Sequence, residues 1–309
     1  MIWTAGRNQQ LGELIAEVFR TIPETVPRDY RAVMAGGLPG ADRAAVLAQA
    51  GIDRSQYLTV SVGDVLDRMA AHGLIPAVPG RPPLAGAELV HAEAQHVTKR
   101  IGLFAVNRGW NIILDVTLAS RPSAESWTYA LRFADYSVTA VFADLDVEES
   151  VHRAEAAYRA GEDEYRQGRG HGGRALPPDA IRALASPGAT AARDSIRWVS
   201  GAEPASATAG QARHGGLPGG AVASMIDAYR RGQLSLDGLG LEFRARRWPA
   251  VPPVCPPGLE AAAPAMDDPE PYVPGSFDDV VMAYDLGKLT DPEYEFLAEA
   301  ANVSAAEPG

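Results

Sequence analysis

The feature that most constrains this chain is a regular alternation of short apolar segments with amphipathic ones as far as residue 199. The apolar segments predict four strands, at residues 30–35, 57–62, 111–115 and 137–143. Helical periodicity predicts helices at residues 10–21, 42–50, 65–72, 85–108, 123–133 and 147–159. Strands that alternate with helices form a parallel sheet covered by helices on both faces. The sequence therefore predicts an α/β fold for its first part.

The alternation stops near Val199, where the composition changes. Residues 200–222 are rich in Gly, Ala, Ser and Pro and predict a linker, and residues 250–275 predict a second, proline-rich linker. The pattern Ala-Tyr-x-x-Gly-x-Leu, followed by Ser or Thr, occurs at 228–235 and again at 283–290. Its glycine suits a helix C-terminus and its hydroxyl residue an N-cap. We therefore expect helical hairpins at 223–249 and 276–300, and a tail at 301–309.

Each predicted hairpin is too short to be stable alone, so its apolar stripe needs an outside surface, on the main domain or on another protein. A proline-rich segment is extended, at about 3.1 Å per residue, and can hold the hairpins apart. We therefore expect them to dock at separate places, the second on another protein or on a second copy of the chain. Deleting residues 276–309 is then expected to leave the fold of residues 1–199 intact.

Composition excludes several functions. The chain has 309 residues with 39 acidic and 28 basic side chains, and its net charge of −11 argues against a nucleic-acid partner. It has no apolar run long enough to cross a membrane, and Glu13 and Glu17 interrupt the N-terminal apolar pattern, so no signal peptide is expected. A single cysteine, Cys255, excludes a disulfide framework and a cysteine-based metal cluster. These features predict a cytoplasmic protein without a metal site.

A glycine-rich turn joins the first strand to the next helix, which is the setting of a phosphate-binding loop. The usual pattern ends in Gly-Lys followed by Ser or Thr. Here Asp42 would place a negative charge beside phosphates, Arg43 replaces the lysine, and Ala44 cannot bind magnesium. Taken alone, the stretch favours a tight structural turn. It reads Gly37-Leu38-Pro39-Gly40-Ala41-Asp42-Arg43-Ala44.

Five segments, taken in chain order, together resemble the zeta toxin family over about residues 30–185. They are residues 35–47, 57–66, 88–94, 111–117 and 168–181. The resemblance implies a P-loop kinase-like domain over residues 1–199 that uses ATP and Mg²⁺ at residues 37–44. It also implies transfer of the γ-phosphate to a hydroxyl of a UDP-activated amino sugar. Relatives of this type occur in phages and mobile elements, so the resemblance suggests a toxin–antitoxin or a virion setting.

The resemblance also implies roles for single residues on the substrate side. The family's catalytic base falls on Gly63, next to Asp64, so Asp64 is either a general base or the N-cap of the helix at 65–72. The family's His-x-Glu motif implies that Glu93 contacts substrate. Its Asp-x-Thr motif implies the same for Asp115 and Thr117, which end a buried strand where ligands bind in α/β sheets.

Arginines that stabilise the transferred phosphoryl group in the family match Arg153, Arg159 and Arg174. With Arg166 and Arg169 they form a basic cluster in an acidic chain. The cluster either faces solvent or faces a phosphate site.

Three functions remain open. The first is a zeta-toxin-like fold with weakened or lost kinase activity that still binds a nucleotide or a UDP-sugar. The second is an active kinase in which Arg43 and Asp64 have taken over the roles of the family's lysine and catalytic base. The third is a structural or adaptor protein that uses the fold as a scaffold and the hairpins to bind partners. Phosphoryl transfer depends on groups that position the substrates and stabilise charge. The family's lysine, hydroxyl residue and catalytic base are all altered in this sequence, which favours the first function. The repeat favours the third over the second.

Overall fold

A single four-stranded sheet forms the centre of the structure, a computed structural model that describes residues 5–186 and 220–305. All neighbouring strands are parallel, and their order is β2-β3-β1-β4. The strands are β1 at Arg31–Gly37, β2 at Leu58–Ser61, β3 at Ile112–Val116 and β4 at Ser137–Ala143. The predicted α/β fold is confirmed.

The two central strands are buried almost throughout because helices cover both faces of the sheet. Val33 of β1 lies opposite Ile113 of β3 and Thr139 of β4. Met34 and Leu114 belong to the larger core cluster, and Val33 and Ile113 belong to a smaller cluster with Leu47. Side chains of a strand alternate between its faces, so this division puts a core on each side of the sheet.

Seven helices surround the sheet in the first described range. They are α1 at Ala5–Arg20, α2 at Arg43–Gln49, α3 at Val62–Ala71, α4 at His91–Asn107, α5 at Arg121–Phe133, α6 at Val147–Arg166 and α7 at Pro178–Ala183. Short 3-10 helices lie at Arg54–Gln56 and Pro83–Val90. Several boundaries differ from the prediction. Helix α1 begins at Ala5 and α3 begins at Val62, both earlier than predicted, the segment predicted as one helix from residue 85 begins as a 3-10 helix, and α6 continues through residue 166.

Helix α4 has an unusual buried polar face. His91, Gln95, His96, Lys99 and Arg100 are all at least nine-tenths buried. Buried charges require partners. Residues far along the chain supply these partners, so α4 ties the C-terminal part to the sheet.

The second described range, residues 220–305, contains four α-helices in two hairpins. They are α8 at Ala221–Arg230, α9 at Leu236–Ala245, α10 at Asp278–Asp285 and α11 at Asp291–Ala305. The repeat has its expected local geometry: Gly232 and Gly287 have φ of 71° and 70°. Ser235 accepts a hydrogen bond from the Gly238 N–H at 3.0 Å, and Glu293 accepts one from the Thr290 N–H at 2.6 Å.

The prediction that the hairpins dock at separate places is wrong, because they pack on each other. Val222, Ile226 and Phe243 of the first hairpin share one apolar cluster with Val280 and Leu297 of the second. The segment between them is not a straight spacer. It turns through a 3-10 helix at Glu260–Ala265 and thereby brings the two hairpins together.

The second hairpin also packs on the sheet domain. Met282 of α10 and Tyr272 before it belong to the larger core. Lys99 pairs with Asp278 at 2.7 Å, and Arg100 pairs with Asp285. The apolar stripes are therefore buried within this chain, which removes the reason for expecting a second chain on them. Most of the predicted linker at 200–222 and the end of the tail lie outside the described residues.

Within the described ranges, no helix combines the length and the apolar character needed to cross a membrane.

Candidate functional site

The candidate site lies at the carboxyl ends of the strands, where ligands bind in open parallel sheets. The loop of residues 37–44 follows β1, Asp64 follows β2, and Asp115 and Thr117 end β3 and begin the next connection. The neighbouring positions of β1, β2 and β3 bring these three groups to one edge. The sequence predicted all of them.

Helix α6 holds the glycine-rich loop in place. Ser150 donates a hydrogen bond to the Pro39 carbonyl at 2.7 Å, and Arg153 donates one to the Gly40 carbonyl at 3.3 Å. Gly40 has a φ of 76°, and a Cβ there would lie 2.6 Å from the Arg153 Cβ. The loop therefore needs glycine at this position for both conformation and space.

Asp42 caps helix α2. Its Oδ1 accepts a hydrogen bond from the Ala45 N–H at 2.9 Å. The carboxylate therefore lies at the start of the helix, where a phosphate-binding loop presents N–H groups to phosphate. Helix α2 has only seven residues, so it adds little dipole of its own. Ala44 is exposed beside it and carries no oxygen ligand.

Arg43 turns back onto the sheet. Its Nη2 donates hydrogen bonds to the Gly37 carbonyl at 2.6 Å and to the Val116 carbonyl at 3.3 Å. Its Nε lies 3.1 Å from Asp115 Oδ1, which makes an ion pair without hydrogen-bond alignment. The guanidinium thus ties the end of β1 to the end of β3.

Asp115 and Asp64 form an acidic pair at this edge. Burial raises the pKa of Asp115, Arg43 opposes that shift, and the charges of Asp64 and Asp267 add to it. Asp64 is exposed in the first turn of α3. The interpretation of Asp64 as an N-cap is wrong: α3 begins at Val62, and Ser61 is the cap, accepting from the Asp64 N–H at 2.9 Å.

Two residues that the resemblance singled out have other partners. Arg7 binds both oxygens of Glu93, at 2.8 and 2.6 Å, and so ties α4 to α1. Arg159 is 73% exposed and pairs with Glu155. It lies about 9 Å beyond Arg153 along α6, at 1.5 Å per residue. Among the arginines of α6 described here, Arg153 is the one that contacts the loop.

Arg174 is bound to a residue that the sequence did not suggest. Its Nη1 donates to both oxygens of Asp267, at 2.8 and 3.0 Å. Its Nη2 donates to the Pro264 carbonyl at 2.8 Å and lies 3.1 Å from His91 Nε2. Burial alone would raise the pKa of Asp267, but Arg174 and His91 lower it to about 2.

Asp268 accepts hydrogen bonds from a group of donors that follows β3. Its carboxylate accepts hydrogen bonds from the N–H groups of Leu118, Ala119 and Ser120, at 2.9, 3.1 and 3.2 Å. The Thr117 hydroxyl donates a fourth. Asp268 is 1% exposed, and burial raises its pKa against the effect of these bonds. Thr117 therefore lies where the resemblance implies, but it already has an intramolecular partner.

Glu270 completes the contacts with α4. It lies 2.6 Å from the His96 Nδ1 and 2.6 Å from the Lys99 Nζ. Burial and the charge of Lys99 lower the pKa of His96 to about 4. Burial would raise the pKa of Glu270, but the hydrogen bond with His96 and the charge of Lys99 hold it well below its usual range.

Sequence reasoning missed Asp267, Asp268 and Glu270 because they lie in the predicted proline-rich linker. One signal was available: three acids within four residues of an otherwise apolar segment. In the described part of the chain, no group of three or more His, Cys, Asp or Glu side chains is placed to hold a metal ion.

The parallel sheet, with a glycine-rich loop leading from β1 into a helix, defines a P-loop kinase-like α/β protein. The family model described as Zeta toxin matches residues 32–196, more than half of the chain, and the chain therefore belongs to the zeta toxin family. No similar protein was found among curated proteins, and none among solved structures. The match includes every predicted site residue but ends before Asp267, Asp268 and Glu270.

Proposed function

We propose that this chain is a zeta-toxin-type pseudokinase, in which ATP-dependent phosphotransfer to a UDP-amino sugar is lost or strongly weakened. The observation that supports this is the arrangement of Asp42 and Arg43. Arg43 donates to the Gly37 and Val116 carbonyls and forms an ion pair with Asp115, and Asp42 brings a negative charge to the start of α2. The loop thus presents a carboxylate directly before the position where a kinase presents its lysine.

The charge effect is large enough to matter. Two like charges about 4 Å apart repel by roughly 4 kcal/mol at the effective dielectric near a protein surface. Such a penalty weakens binding by about a thousandfold. A carboxylate at this distance from the β- or γ-phosphate would therefore remove most of the affinity for ATP.

Magnesium does not fit the residues present either. Ala44 supplies no hydroxyl, and Asp115 is paired with Arg43. The described residues hold no cluster of three ligating side chains. The described residues of the loop and of the end of β3 therefore do not suit Mg²⁺.

The acceptor side of the fold is better preserved. Thr117, the N–H groups of residues 118–120, and Arg174 are all donors suited to anions. We propose that the retained ligand is a nucleotide or a UDP-sugar, bound in the cytoplasm. An adaptor role has weaker support, since the hairpin stripes are buried within the chain.

A turnover assay tests the proposal. The full chain is incubated with ATP, Mg²⁺ and UDP-N-acetylglucosamine, and the products are analysed by mass spectrometry. We expect no phosphorylated sugar. If product forms and Asp64→Asn abolishes it, the chain is an active kinase that uses Asp64, and the pseudokinase proposal is wrong.

A further inference from the structure

Residues 267–270, which we name the acidic strap, run Asp267-Asp268-Pro269-Glu270. We propose that the acidic strap is an intramolecular ligand of an anion-binding groove between α4 and the β3–α5 connection, and that an outside anion binds there by displacing it. The proposal rests on the proposed function in one respect, because it assigns this groove to the acceptor side of the fold.

Each acid of the strap meets a separate set of donors. Both oxygens of Asp267 accept hydrogen bonds from Arg174 Nη1, and Asp268 accepts them from the backbone N–H groups after β3. Glu270 takes Lys99 and His96. Three acids within four residues thus satisfy three donor sets from three parts of the chain: the α6–α7 connection, the β3–α5 connection and helix α4. A segment whose only role was to connect the hairpins would not require this match.

The donors that hold the strap are those that proteins use for phosphate. A guanidinium binds phosphate or carboxylate through two parallel hydrogen bonds, and successive backbone N–H groups at a helix start bind either anion. Helix α5, which the N–H groups precede, has 13 residues. The carboxylates of Asp267 and Asp268 therefore stand in for two anionic groups of a ligand.

The strap is held mainly by its side chains. It belongs to no helix or strand. Its backbone-to-backbone hydrogen bond within the described residues runs from the Glu270 N–H to the Gln95 carbonyl, at 3.3 Å. Apolar anchors lie on either side, Met266 at 0% and Tyr272 at 3% exposure. The five residues between the anchors, which include the strap, can therefore open locally while the anchors stay in place.

The freed groove would suit a ligand with two or more linked anionic groups, such as a diphosphate. Opening would release the Arg174 Nη1 donor and the three N–H groups after β3 together, while Lys99 keeps its pair with Asp278. A single phosphate would reach only one of these sets. Inorganic pyrophosphate is therefore the probe for the test.

Calorimetry with pyrophosphate compares the unmodified full chain with the Asp267→Asn/Asp268→Asn variant. Asparagine keeps the size of each side chain but removes its charge. We expect the variant to bind pyrophosphate at least tenfold more tightly. The matched control is Asp163→Asn/Asp179→Asn, which makes the same charge change at exposed acids paired with Arg166 and Arg182. Equal tightening in both variants, or none in either, overturns the proposal.

Hydrogen exchange on the unmodified protein gives a second test that does not depend on how the variant folds. With saturating pyrophosphate, we expect faster exchange at the Glu270 N–H, while those of residues 118–120 stay protected by the new anion. Unchanged exchange at Glu270 with pyrophosphate bound contradicts displacement.

The experiments distinguish failure of this proposal from failure of the pseudokinase proposal. Pyrophosphate binding without sugar phosphorylation in the strap variant supports both of them. Phosphorylated UDP-sugar made by the strap variant supports displacement of the strap and overturns the pseudokinase proposal.

Discussion

At the scale of single residues, Arg43 shows why keeping a positive charge does not keep the same contacts. A lysine in this position is a point charge on a flexible stem, whereas arginine is a planar fork that binds several acceptors at once. Here the fork has three neighbouring acceptors, at Gly37, Val116 and Asp115. The side chain therefore stabilises the ends of two strands and does not reach outward to a phosphate.

Restoring the loop is expected to restore nucleotide binding. The unmodified chain should show no binding of Mg²⁺–ATP at micromolar concentration, because Asp42 repels phosphate and Ala44 lacks a hydroxyl. The variant Asp42→Gly/Arg43→Lys/Ala44→Thr should bind measurably by calorimetry. Asp53→Gly, a cap outside the loop, is the control and should change nothing. Micromolar affinity in the unmodified chain would contradict this expectation.

Asp267 should make the free energy of unfolding depend on pH. Its pKa is lowered from 3.8 to about 2, so the unfolded chain binds more protons between these values. Its contribution, about 2 kcal/mol, is present above pH 4 and is lost as the pH falls through about 2. Urea unfolding at pH 5 and pH 2.5 measures it. The loss of stability between these two pH values should be smaller in Asp267→Asn, and an equal loss in both proteins would disprove the assignment.

At the scale of elements, helix α4 decides how the two parts of the chain meet. Its polar face is buried because each charged side chain has a partner from the C-terminal part: Asp278 and Glu270 for Lys99, and Asp285 for Arg100. Breaking such a pair leaves one buried charge uncompensated, which costs far more than breaking an exposed pair.

A double-mutant cycle on Arg100 and Asp285 tests this. Arg100→Met should lower the free energy of unfolding by about 3–5 kcal/mol, since it leaves Asp285 buried alone. Arg100→Met/Asp285→Leu should recover much of that loss. Urea unfolding measures both variants, and the exposed pair Arg159–Glu155 is the matched control, with an expected cost below about 1 kcal/mol. A loss for Arg100→Met as small as the control's would show that the pair is not buried in solution.

At the scale of the whole molecule, the C-terminal part is not an appendage. Tyr272 and Met282 contribute to the core under the sheet, and the two hairpins share one apolar cluster. The sheet domain and the hairpins therefore stabilise each other. The earlier expectation that residues 276–309 can be removed without effect no longer follows.

Deleting residues 276–309 should instead destabilise the sheet domain. The deletion removes Met282 from the core and takes Asp278 and Asp285 away from Lys99 and Arg100. We expect a lower midpoint and a broader transition in thermal unfolding followed by circular dichroism. An unchanged, equally sharp transition would mean that the second hairpin is peripheral after all.

The sequence by itself determined the local features of this protein. Four strands, the helices between them, the loop of residues 37–44 and the repeated turns could be predicted, because each depends on the periodicity and turn chemistry of a few neighbouring residues. The grouping of the loop, Asp115 and Thr117 also followed, since the carboxyl ends of parallel strands meet at one edge.

Only the tertiary structure decided which distant residues meet. No local pattern tells that Arg174 binds Asp267, 93 positions later, or that Asp268 fills the donors after β3. The proline-rich segment was predicted to be a spacer because proline removes donors and extends the chain locally. Its path over α4 depends instead on the pairing of buried charges. Such pairing is decided only when the surface of α4 and the C-terminal part come into contact.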